Sequence, residues 1–195
     1  MIDHTGSSLA LAVHMGERSA VEALVRTYQD QLFGYALRLL QDRSDAQEVA
    51  QDAFLRAYHA LTQQYGAEQC RNLSLRPWLF RITRNLAYNR RRARRAAREE
   101  PLPAADDWHT PALRYEAPGT QGLEALEECA RLDRALGRLS RPSREMILLR
   151  FIEEMPYAEI ALVVGASEAS VRGKVFRALR QLRSTLMEME AHDAM

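Results

Sequence analysis

Lysine is almost missing from this chain: Lys174 stands alone among 27 basic residues, the rest being arginine. A GC-rich genome produces the same bias, so the information lies in where the arginines sit rather than in their identity. Only two cysteines occur, Cys70 and Cys129, far apart and outside any CxxC spacing. That excludes a disulfide framework and a zinc module. Apolar runs are short. The longest early one, Leu9 to Val13, lacks a basic lead-in and is too brief for a signal-peptide core. No stretch approaches the length of a membrane span, so the chain is expected in the cytoplasm with no membrane insertion of its own. The five histidines, at 4, 14, 59, 109 and 192, are scattered and join no carboxylate and nucleophile at catalytic spacing. No enzymatic activity, cofactor or metal is expected.

The most telling absence is local. Residues 71–98 hold ten arginines and no acid, although the whole chain carries a net charge of only +1. Residues 1–70 hold five arginines against nine acids, and 99–133 hold two against nine. Such segregation says more about partners than the overall balance does.

On a helical wheel, Arg81, Arg84, Asn85, Tyr88, Arg91, Arg92 and Arg95 fall within an arc of roughly 120°. Leu79, Ile82, Leu86, Ala93 and Ala97 take the other side. One face can pack while the other offers guanidinium groups beside an amide and a ring, which suits a nucleic-acid backbone with bases to stack. A merely solvated basic surface has the same composition. Trp78 lies at the edge of this face, and both a core role and a stacking role are open to it.

Apolar spacing predicts helices on either side. Residues 1–16 read as a loose tail. Val21, Leu24, Val25, Tyr28, Leu32, Ala36 and Leu39 mark a helix from about 17 to 41. Ser44 and Gln47 match a capping box, opening a helix that buries Ala46, Val49, Ala50, Ala53, Phe54, Ala57 and Leu61. Its outer side shows Asp45, Glu48, Gln51, Asp52 and Arg56. Residues 63–76 read as a polar loop, and Pro77 suits the first turn of the basic helix.

Residues 99–122 break the pattern. Six prolines and glycines punctuate an acidic stretch there, which reads as a linker; Trp108 within it is a candidate for docking. Beyond it the pattern is helical again: Leu123 to Leu139, a helix after Ser140 carrying Met146, Ile147, Leu149, Phe151 and Ile152, then Tyr157 to Val164. A tight Gly165-Ala-Ser167 turn leads into a final helix from Glu168 to about Met187, with a tail over 188–195. Short helix, glycine turn and longer helix together form a helix-turn-helix. Val171, Val175, Leu179, Leu182 and Leu186 make its inner seam. Ser170, Gly173, Lys174, Arg177 and Gln181 point away with Arg180 beside them, small residues first and donors after, as a major-groove reader requires. An αα-hairpin with a basic face is the plainer alternative.

Three blocks together resemble a bacterial sigma factor of the extracytoplasmic-function (ECF) group. Asp45-Ala-Gln-Glu-Val-Ala-Gln-Asp-Ala-Phe-Leu-Arg-Ala-Tyr58 is similar to that family's helix for the polymerase clamp. Arg76-Pro-Trp-Leu-Phe-Arg-Ile-Thr-Arg-Asn-Leu-Ala-Tyr-Asn-Arg-Arg-Arg92 resembles its −10-reading and melting segment. Tyr157-Ala-Glu-Ile-Ala161 with Ser167-Glu-Ala-Ser-Val-Arg-Gly-Lys-Val-Phe-Arg-Ala-Leu-Arg180 resembles its −35-reading helix-turn-helix. The resemblance implies an all-α chain of two small helical domains, over 17–98 and 123–187, joined by a flexible linker. It implies a transcription initiation factor whose partners are core RNA polymerase, promoter DNA (duplex at −35, single-stranded at −10) and an anti-sigma factor. Polymerase would be met by Asp45, Glu48, Gln51, Asp52, Leu55 and Arg56. The −10 strand would be met by Trp78, Arg81, Arg84, Asn85, Tyr88, Arg91 and Arg92, with residues 63–74 as the loop that receives a flipped base. The −35 duplex would be met by Ser167, Ser170, Arg172, Gly173, Lys174, Arg177 and Arg180. Departures from the family pattern are Gln47 and Ala50 in the first block, Pro156 before Tyr157, and Gly173, which costs a helix interior about 1 kcal/mol relative to Ala. No accessory domain is expected after Met187. A stand-alone helix-turn-helix regulator is the alternative; it leaves the acidic face without a use.

Overall fold

A computed structural model describes residues 4–98 and 123–193. Within the described residues the secondary structure is helical, without strands. The expected linker, with Trp108, lies outside them. The chain divides into two compact units.

The first unit holds α1 (His4–His14), α2 (Arg18–Leu40), α3 (Arg43–His59), α4 (Ala67–Arg71) and α5 (Leu75–Arg98), with a π-helical turn at Ala60–Gln64. Helices α2, α3 and α5 pack on one another. The inner face of α3 is small: Ala46, Val49, Ala50, Ala53 and Ala57 are all buried, which lets its neighbours come close. Tyr35 and Phe80, both fully buried, put their ring centroids 5.1 Å apart between α2 and α5.

Several expectations need correction here. Residues 4–14 are a helix, not a tail: Ala10 and Val13 are fully buried, and α1 packs on α4 and the π turn. A helix of this length owes its stability to packing rather than to its own sequence. The polar loop at 63–76 contains α4, and α5 starts at Leu75, with Pro77 still in its first turn. Helix α3 is capped by Asp42, whose carboxylate accepts from the Asp45 amide at 3.0 Å, so Ser44 lies inside the helix. The chain reaches Asp42 through Gln41, which ends α2 in the left-handed region at φ 58° with its N–H on the Leu37 carbonyl. That sharp corner sets the cap two residues earlier than the capping-box pattern suggests. Ala93 and Ala97 are exposed, because α5 runs past its core contacts.

A carboxylate–guanidinium cluster joins α3 to α5. Asp45 is 7% exposed and receives Arg90 Nε at 2.9 Å and Arg94 Nη1 at 2.6 Å. Glu48 receives Arg90 Nη2 at 2.7 Å, and Asp42 receives Arg94 Nη1 at 3.2 Å. Asp45, by hydrogen bond first and by charge second, raises the Arg90 pKa above its ordinary value.

The second unit holds α6 (Leu123–Gly137), α7 (Arg141–Phe151), α8 (Tyr157–Val164) as far as Ala161, and α9 (Glu168–Asp193). Arg144, 2% exposed, donates to the carbonyls of Leu136, Gly137 and Leu139 at 2.8, 2.9 and 2.9 Å. It thereby satisfies acceptors that the end of α6 leaves open. The seam of α9 is Val171, Val175 and Ala178, with Thr185 further on, while Leu179 is 38% exposed. Phe151, Ile152 and Leu132 are exposed as well. The tail expected from 188 is helical to Asp193; no glycine or proline interrupts it, and Ser184 Oγ bonds Glu188 at 3.2 Å.

Two outcomes follow from the cluster. Asp45→Ala leaves two arginines without their buried partner and should cost about 2 kcal/mol, the partly exposed guanidinium groups limiting the loss; denaturant unfolding followed by circular dichroism measures it. The Asp45 amide first, and Arg94 next, hold the Asp42 carboxyl below its ordinary value of 3.8. A carboxyl lowered on folding contributes stability above the unfolded value and loses it as pH falls through the folded one. Wild type should therefore lose stability below about pH 4 more steeply than Asp42→Asn, which keeps the cap without the charge; equal slopes would refute the assignment.

Candidate nucleic-acid interfaces

Helix α5 presents two basic flanks. On the first, Arg81, Asn85 and Arg92 are exposed, and Arg84, Tyr88 and Arg91 are half-buried. The Arg84 guanidinium lies over the Tyr88 ring, 4.6 Å from its centroid, within the range of a cation–π attraction. Arg91 Nη1 approaches the Leu39 carbonyl, at the end of α2, to 3.4 Å. The second flank is Arg90 and Arg94, both committed to α3. Sequence reasoning missed this pair. Their position opposite Arg81 on the wheel was the available signal, since charges turned toward a core need partners.

Trp78 is 9% exposed, and its Nε1 donates to Tyr65 Oη at 3.2 Å. The two rings are 5.6 Å apart between centroids. Glu68, Gln69, Asn72 and Arg81 line the same concave surface. Trp78 is thus a core residue and part of a cleft wall at once. Tyr65 had not been singled out. Cys70, in α4, is fully buried, and burial pushes its thiol pKa up.

On α3, Gln51, Asp52, Leu55 and Arg56 are exposed, with Leu55 at 58% and Tyr58 beside it at 41%. Glu48 is exposed and paired with Arg90. Asp45 does not belong to this outer face: it is buried under Arg90 and Arg94.

In the second unit, Gly165 ends α8 at φ 69°, in the region that favours glycine. Ser167 Oγ then accepts from the Ser170 amide at 3.3 Å, opening α9. Ser170, Arg177 and Arg180 are exposed, and Lys174 is half-buried. Arg172 is held on its own helix by Glu168 at 2.6 Å, and its guanidinium lies 5.7 Å from the Tyr157 ring. A Cβ at Gly173 would meet only Arg177 Nη1, at 3.5 Å, an ordinary contact. Nothing in the domain's packing demands glycine there. Among the described residues there is no group of three or more His, Cys, Asp or Glu arranged for a metal, and no helix long and apolar enough to cross a membrane.

Two family models match in order, Sigma-70 region 2 over residues 24–97 and Sigma-70, region 4 over residues 129–182. The RNA polymerase sigma factor NccH of Alcaligenes xylosoxydans xylosoxydans is 30% identical over 184 residues, 94% of this chain and 95% of that one. The ECF RNA polymerase sigma factor SigL of Mycobacterium tuberculosis is 30% identical over 178 residues, 89% of this chain and 95% of that one. The probable RNA polymerase sigma factor RfaY of Xanthomonas campestris pv. campestris is 32% identical over 176 residues; the match takes in 89% of this chain but 42% of that longer one. Among solved structures, CnrH in complex with the cytosolic domain of CnrY is 30% identical with a TM-score of 0.66, covering 94% of this chain and 97% of that one. RpoE of Bartonella quintana, solved with the anti-sigma factor NepR, shares the fold at 22% identity and a TM-score of 0.59, covering 85% of this chain and 96% of that one. With both regions in their order and such relatives similar along nearly the whole chain, the protein belongs to the sigma-70 family, in its ECF group, and is a sigma factor of transcription initiation, a family that binds core RNA polymerase and promoter DNA.

Proposed function

We propose that the exposed part of α3 (Glu48, Gln51, Asp52, Leu55 and Arg56) docks on core polymerase, while the flank of α5 turned away from α3 meets the −10 strand as it opens. Arg81, Arg84, Asn85, Tyr88, Arg91 and Arg92 supply that flank. The observation that carries this reading is the split of the α5 arginines. Arg90 and Arg94 fix the helix to α3, which leaves Arg81, Arg84, Arg91 and Arg92 on another face of a rigid base. A base extruded from the −10 duplex enters beside Trp78 and Tyr65, whose ring faces offset the few kcal/mol lost in unstacking.

In the second unit, Ser170, Lys174, Arg177 and Arg180 contact the −35 duplex. Ser167 serves chiefly as the cap and Arg172 as a helix-surface ion pair. Two such units, region 2 with α1 added and region 4, select promoters whose elements both can reach. The protein acts in the cytoplasm without catalysing a reaction. An anti-sigma factor, of the kind seen with RpoE of Bartonella quintana, restrains it by covering the α3 and α9 faces.

Run-off transcription with purified core polymerase tests the whole reading: transcripts should start from promoters that core alone ignores. Gln51→Ala with Asp52→Ala should weaken capture of core polymerase by about tenfold, on the scale of a pair of interface contacts, while helicity is unchanged; undiminished capture would place the docking face elsewhere. Gly173→Ala should stabilise the chain by about 1 kcal/mol and yet lower affinity for a −35 duplex, because the added methyl stands where the DNA backbone approaches. A gain in stability with unchanged −35 affinity would remove Gly173 from the interface.

A further inference from the structure

Helix α1 lies outside the region 2 match, yet it fastens both ends of the segment that forms one wall of the Trp78 cleft. At the end of α1, His14 Nδ1 is 2.8 Å from the Leu61 carbonyl oxygen. A carbonyl oxygen only accepts, so Nδ1 carries the proton and donates. Near the start of α1, Ser7 Oγ donates to the Leu73 carbonyl at 3.0 Å. Ser7, Ala10 and His14 recur at helical spacing on one face, and Ala10 and Val13 between the two bonds are fully buried.

The Leu61 acceptor needs this outside donor. The π turn closes with the Tyr65 amide on the Ala60 carbonyl at 2.9 Å. The next amide along, Gly66 N–H, is taken by Gln69 Oε1 at 3.0 Å, so the ladder stops one carbonyl short. Leu61 is fully buried, where an unmet acceptor is costly. Between the two fastened carbonyls lie Tyr65, Glu68, Gln69 and Asn72, which line the cleft opposite Trp78.

We propose that α1 is a brace that sets the shape of residues 61–73 and thereby the base preference of the cleft, with His14 and Ser7 as positioning residues. This rests on the reading of that cleft as the pocket for an extruded −10 base. Tyr65 can stack on a base only while its backbone is held at the distance that its bond to Trp78 now marks. Releasing Leu61 and Leu73 lets the wall drift, so bases are still bound by the arginines of α5 but no longer sorted.

The test uses full-length protein assembled with core polymerase. The probe is a pool of promoter fragments whose non-template −10 strand is single-stranded and randomised; retained DNA is sequenced. Wild type should enrich one base by about tenfold or more at one position at least, and His14→Ala with Ser7→Ala should reduce this to about twofold. Total DNA retained and polymerase capture should stay near wild type. His14→Asn, whose Nδ2 can stand in for Nδ1, should restore the preference. Preference retained in the double variant overturns the brace and leaves the cleft reading standing. Preference, DNA retention and polymerase capture lost together, without recovery in His14→Asn, also overturn it, because α1 would then only hold the unit together. A wild type indifferent to the base at every position overturns the cleft reading and the brace with it.

Discussion

The contact on which the first unit depends is the one between Asp45 and two arginines of α5. Residues 71–98 contain ten arginines and no acid, so α5 has no carboxylate of its own for i,i+4 pairing and repels itself along its length. The counter-charge must come from elsewhere in the fold. It comes from α3, where Asp42, Asp45 and Glu48 stand along one edge and meet Arg90 and Arg94. Burying Asp45 is favourable only because both of its oxygens are occupied by guanidinium donors. Once those two arginines are committed, the direction of the others is fixed. The acidic and basic helices therefore form one device: α3 carries on its edge the acids that aim α5.

How much of this was legible in the sequence follows from the range of the forces involved. Apolar periodicity is local, and it located α2, α3, α5, α8 and α9, together with the inward positions of α3 other than Phe54, which is only half-buried. The Gly165 turn and the Ser167 cap were equally local and appear as read. What was missed depends on contacts far apart in the chain. Helix α1 has a short apolar run and is held by Leu61 and Leu73, dozens of residues away. The cap of α3 was read at Ser44 but lies at Asp42, placed there by the left-handed turn at Gln41 and held by Arg94. Asp45 looked like a surface acid because its partners lie 45 and 49 residues on. In the final helix the seam drifted from Leu179 to Ala178, because 3.6 residues per turn do not keep step with a strict i,i+4 row over many turns.

The two units solve the same problem in opposite ways. In the first, a buried aspartate paired with two half-exposed arginines anchors a helix rich in cations. In the second, a buried arginine anchors a helix end: Arg144 fills the carbonyls of α6, and α9 is left to pack through small residues. Val171, Val175 and Ala178 keep that helix close to its neighbours. Arg172 is drawn back by Glu168 and Tyr157, so the outward cations are concentrated from Lys174 onward. The result is a narrow strip rather than a broad basic surface.

A narrow strip has a consequence for how promoters are held. On the proposed −35 contacts, three cations on α9 (Lys174, Arg177 and Arg180) would neutralise about three phosphates, which gives a salt slope near −2.7 on logarithmic axes. Raising salt from about 50 to about 200 mM would then cost that unit about fortyfold in affinity. Contacts to the bases in the groove return only about 1–3 kcal/mol each. A single unit of this kind holds a site weakly at physiological salt and finds many near-equivalents in a genome. Joined to a second weak reader on the same polymerase, it gains from local concentration, since binding of one unit makes the other's step intramolecular. Discrimination then belongs to the pair, and each unit is better kept weak. A broad basic face on α9 would bind any duplex and override the −10 reading on which the choice of start site depends.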